Sequence, residues 1–98
     1  MSNAQISEQV LDFFDALQAK SDTLFEGLTD PDQIDQKLDT AAREGLDEIF
    51  QSVPYTVQFT RMIREPLIPG TISYATSVAY VDQAQKPAII LYQINLSV

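Results

Sequence analysis

The stretch FQSVPYTVQFTRMI, residues 50–63, is where the chain changes its period. Up to Phe50 apolar residues recur every three or four positions. From Tyr55 onward, Tyr55, Val57, Phe59 and Ile63 alternate with Thr56, Gln58, Thr60 and Met62. A spacing near 3.6 gathers side chains on one side of a helix, and a spacing of two gathers them on one face of a strand. Pro54 lies between the two regimes. It has no N–H for a helical bond and clashes with the preceding turn, so a helix must end near Ser52. Helices before this point and strands after it predict an α+β fold. Arg61 falls on the apolar side of the first strand, which calls for a bulge, a carboxylate partner or fraying into solvent.

Upstream, two amphipathic helices are predicted. Ile6, Val10, Phe13, Phe14, Leu17, Leu24 and Leu28 form the apolar side of the first, opposite an acidic face of Glu8, Asp12, Asp15, Asp22 and Glu26. Ser2 with Gln5 makes an opening capping box, and Gly27 suits a left-handed stop. TDPDQ, residues 29–33, opens the second helix, with Asp30 as N-cap, Pro31 at the first helical position and Gln33 reaching back to the cap. Its stripe is Ile34, Leu38, Ala41, Gly45 and Ile49, flanked by Ala42, Leu46 and Phe50. A glycine in mid-helix costs about 1 kcal/mol relative to alanine, so Gly45 is expected where another helix passes close.

Downstream, EPLIPG, residues 65–70, breaks the first strand and offers Pro69-Gly70 to a type II turn. TISYATSVAYV and AIILYQINLSV then read as two more strands around DQAQKP, residues 82–87. The simplest assembly is an antiparallel three-stranded meander with both helices on one face. Pairing Val81 with Ala88 would set Ala79 beside Ile90 and Ser77 beside Tyr92, and a one-residue change of loop length would exchange the faces.

At 98 residues the chain is long enough for one domain, 1–98, made of an acidic helical half (1–52) and a sheet half (53–98). The net charge of −8 divides unevenly: the first half holds twelve acids against Lys20, Lys37 and Arg43, the second two acids against Arg61, Arg64 and Lys86. Such a surface repels phosphate, so direct nucleic-acid binding and an acidic membrane are disfavoured. No apolar run is long enough to span a bilayer, and the start of the chain does not resemble a secretory signal. The cytoplasm, or a particle assembled there, is the expected location.

There is no Cys and no His, which removes thiolate chemistry, sulfur ligation and the commonest general base and metal ligand. With only Gly27, Gly45 and Gly70, no phosphate-cradling loop can be written. Asp30, Asp32 and Asp35 do not fit a calcium loop, because Pro31 intrudes and Ile34 occupies a ligand position. These absences predict a protein that is not an enzyme and holds no metal or cofactor.

What remains is the uncharged C-terminal strand. The first strand's edge is guarded by Pro54, Arg61, Arg64 and Pro66, whereas no charge occurs from Pro87 to Val98. The expectation is therefore an interaction module, a self-associating or accessory subunit of a larger assembly such as a viral or secretion particle. Its partner is a protein or its own copy, and its interface is Tyr74, Tyr80, Ile90, Tyr92, Ile94 and Leu96. The bland alternative is that the helices cover this face and the tyrosines border the core. Two other readings are an acidic mimic of nucleic acid on the first helix and an apolar-ligand pocket between helix and sheet, a layout like that of cone-shaped cystatin-like folds.

Overall fold

The computed structural model describes residues 3–62 and 71–97. Its elements are α1 (Asn3–Ala19), α2 (Ser21–Leu24), α3 (Pro31–Phe50), β1 (Tyr55–Met62), β2 (Thr71–Val81) and β3 (Pro87–Ser97). The Ser2 cap, Ile63, the Pro69-Gly70 turn, the guards Arg64 and Pro66, and Val98 lie outside the described residues.

α3 begins as the local chemistry dictates. Asp30 is extended and its carboxylate accepts the Asp32 N–H at 3.0 Å, with Pro31 in the first turn where no N–H is needed. The first predicted helix is not continuous. α1 stops at Ala19 and α2 restarts at Ser21 for a single turn, yet the buried stripe passes through the break as Ile6, Val10, Phe14, Leu17, Ser21 and Phe25. Ser21 is the one polar member of that stripe. Gly27, at φ 77, ends the segment in the left-handed region that glycine enters without steric cost.

Gly45 is the close approach between α1 and α3. A Cβ there would collide with the ring of Phe13. Gly45→Ala should therefore lower stability by about 1–2 kcal/mol, because displacing the ring outweighs the helix propensity gained. Urea unfolding checks this, and a more stable variant would show that the ring yields freely.

The sheet order is β1-β2-β3, all antiparallel. The pairing of β2 with β3 is Val81 with Pro87 and Tyr80 with Ala88, one residue from the expected register. The turn explains the shift. Asp82 accepts the N–H groups of Ala84 and Lys86, each at 2.9 Å, and Gln85 takes a left-handed φ of 61, so the loop closes before Pro87. Even-numbered residues of β2 therefore lie beside even-numbered residues of β3: Val78 with Ile90, Tyr74 with Ile94, Ile72 with Leu96.

This register corrects the predicted interface. Tyr74, Tyr80, Ile90, Ile94 and Leu96 lie beneath the helices, none more than 8% exposed, and Tyr92 is partly buried. The tyrosine face is the core face, because Tyr74, Tyr80 and Tyr92 fall on it together with Ile72, Ile90, Ile94 and Leu96. Phe14 of α1 stacks on Tyr92, with ring centroids 5.3 Å apart. Phe50 of α3 stacks on Tyr55 at 4.9 Å and tilts against Tyr80 at 5.1 Å. Arg61 finds a carboxylate, forming an ion pair with Asp35 and lying 3.8 Å from Asp32.

Candidate functional site

Each strand carries one tyrosine whose hydroxyl donates to an aspartate on a helix. Tyr55 of β1 donates to Asp47 of α3 at 2.6 Å, Tyr74 of β2 to Asp35 of α3, and Tyr92 of β3 to Asp15 of α1. The arrangement follows from length: a phenol rooted in the core face reaches the polar flank of the covering helix with its tip. Burial first, and then the neighbouring carboxylate, push all three phenols up from 10 to about 12. These are fastenings between layers. They also reassign part of the acidic face. Glu8 and Asp12 stand exposed on α1, Asp15 holds Tyr92, Asp22 belongs to α2, and Glu26 lies in the following turn. The five acids are thus spread over α1, α2 and the turn that follows, all of them exposed.

The opposite face of the sheet is open. It carries Thr56, Gln58, Thr60 and Met62 from β1, Ser73, Ala75, Ser77, Ala79 and Val81 from β2, and Ile89, Leu91, Gln93, Asn95 and Ser97 from β3. None is charged. One end is polar, with Ser73 donating to the Asn95 amide oxygen at 2.7 Å. The other end is apolar: Val81 is 49% exposed, Ile89 66% and Leu91 75%. Sequence reading passed over Ile89 and Leu91 because Gln93, Asn95 and Ser97 made their face look polar. The usable signal was two large aliphatics on the otherwise polar face of a strand.

The outer edge of β3 is partly closed by helix side chains. The Asn95 N–H donates to Gln18 Oε1 at 2.7 Å, and the Ser97 N–H donates to Ser21 Oγ at 3.4 Å. This is the use of the polar residue in the buried stripe. It also fixes the phase of the ladder, since outward-facing backbone groups alternate with paired ones. The remaining outward N–H groups of β3 are those of Ile89, Leu91 and Gln93.

Comparison with protein-family models, curated proteins and solved structures finds no match for this chain. Its surfaces must carry the functional reading.

Among the described residues, no group of three or more carboxylates is placed to hold a metal ion, and no helix is long and apolar enough to cross a membrane. Asp30, Asp32 and Asp35 are engaged in capping α3 and facing Arg61. A cleft of about 590 Å³ lies at one end of the molecule, lined by Ile6, Ile49, Phe50 and Val53 together with Val81 and Gln85 of the β2–β3 end. It opens at the rim where Ile6 of α1 and Ile49 and Phe50 of α3 meet Val81 of β2.

Proposed function

We propose that this protein is a non-enzymatic interaction module that associates with its own copy through its C-terminal strand, on whose open side Ile89 and Leu91 stand, working in the cytoplasm or in a particle assembled there, without direct nucleic-acid binding. The observation that carries the reading is the exposure of Ile89 and Leu91 on a sheet face without charge, in a chain of net charge −8. Burying a large aliphatic side chain gains about 1.5–3 kcal/mol, and contiguous apolar surface of this kind marks contact sites. A neutral face offers no electrostatic match to a charged partner, but a second copy mates with it without bringing charge onto it. The acidic helices supply solubility on the other side.

Light scattering across dilution tests this. The expected result is a concentration-dependent dimer that Leu91→Asp weakens by about 2–3 kcal/mol while the circular dichroism stays unchanged. A wild-type protein that is monomeric at every concentration would remove the proposal.

A further inference from the structure

The open window on the β3 edge is bounded at both ends. Its free outward donors are Ile89, Leu91 and Gln93, and its centre is Leu91. At one end of the window stands Pro87, which has no N–H, and at the other stands Asn95, whose N–H is already held by Gln18. In an antiparallel pairing of two copies centred on Leu91, Ile89 meets Gln93 of the second copy and Leu91 meets Leu91. Pro87 then falls opposite Asn95. The two outward positions flanking the window that cannot donate are brought together, and no free N–H of the window is left facing a blocked one.

From this self-complementarity we infer that β3 pairs with β3 of a second copy about a two-fold axis at Leu91, joining two sheets into one of six strands. The inference rests on the proposed self-association and specifies its geometry. Three pairs of outward residues supply up to six N–H···O bonds across the axis. α1 runs beside β3 in the same direction, with Asp15 at Tyr92 and Gln18 at Asn95. Leu11, one turn before Asp15 and 38% exposed, stands on the flank of α1 that carries these contacts. The two-fold axis therefore brings the two Leu11 flanks toward one another, along with the acids of the two α1 helices. An edge contact of this size gives a weak dimer, below the area of stable interfaces. Added salt tightens it by screening Glu8, Asp12 and Asp15 of one copy from those of the other.

The test uses the absence of native cysteine. Leu91→Cys in the full chain should form an intermolecular disulfide on mild oxidation, since directly opposed hydrogen-bonded residues place their Cα atoms about 5.5 Å apart, within disulfide reach. Ile89→Cys mixed with Gln93→Cys should form the mixed dimer in preference to either like pair. Ser77→Cys, at the middle of the open face, should link poorly. Leu91→Pro removes an outward donor together with the exposed leucine side chain, while the bonds of β3 to β2 fall at the even positions, and should weaken dimerisation about a hundred-fold. Efficient linking through Ser77 with none through Leu91 would overturn the strand pairing while leaving self-association intact. No linking at any position, with wild-type protein monomeric by light scattering, would overturn both.

Discussion

Raising the pH through the window from 10 to 12 should unfold this protein. Tyr55, Tyr74 and Tyr92 hold their protons in the folded state to about pH 12, against about 10 for an unperturbed phenol. Below pH 10 the phenols are protonated in both states and their contribution to stability is fully present. Between 10 and 12 the unfolded chain releases protons that the folded chain keeps, so the unfolding free energy falls as pH rises. Above 12 the contribution is gone, and each tyrosinate would face the aspartate that had accepted its hydrogen bond. Tyrosinate absorbance should show three phenols ionising together with loss of the fold, and urea midpoints should drop steeply over the same window. Replacing the three tyrosines by phenylalanine should flatten that slope. A folded protein whose tyrosines all titrate near pH 10 would mean that the phenol–carboxylate bonds do not form.

Phe14→Ala should remove about 3–5 kcal/mol of folding stability, against a total of about 5–15 kcal/mol for a domain of this length. The ring is fully buried, stacks on Tyr92 and lies 5.3 Å from Phe13. It is therefore the main aromatic contact of α1 on β3, and its loss leaves a cavity between two layers that cannot easily close. The docking of Asp15 on Tyr92 and of Gln18 on Asn95 depends on the same seating, so the variant should lose edge closure as well as core. Chemical denaturation measures the first effect and amide exchange at Asn95 the second. Gln9→Ala, on the exposed side of α1, should change stability by less than about 0.5 kcal/mol. A cost below 1 kcal/mol for Phe14→Ala would show that the helix can re-seat without the ring.

The architecture was legible because its signals are local. The period change at Pro54, the Asp30-Pro31 cap and the alternation in residues 71–97 each act within a few residues, and together they give helices followed by a meander. The register depended on how tightly Asp82 gathers its loop. One residue of difference there decided whether the tyrosines met the isoleucines or the small residues, and composition does not encode that difference. The interface residues named from sequence followed the largest side chains, which is also the rule by which a core is chosen; Ile89 and Leu91, on the other face, carry the exposed apolar area. The roles of Gln18 and Ser21 were not legible, because their partners are backbone groups 77 and 76 residues away, respectively.

That separation has a kinetic meaning. The bonds from Gln18 and Ser21 to β3 join the first helical segments to the last strand, so their loop cannot close until the intervening α3 and the hairpins have found each other or the full entropy of a long loop has been spent. Folding should begin in the β2–β3 hairpin, with α1 seated late. Substitutions at Gln18 and Ser21 would then accelerate unfolding and leave the refolding rate nearly unchanged.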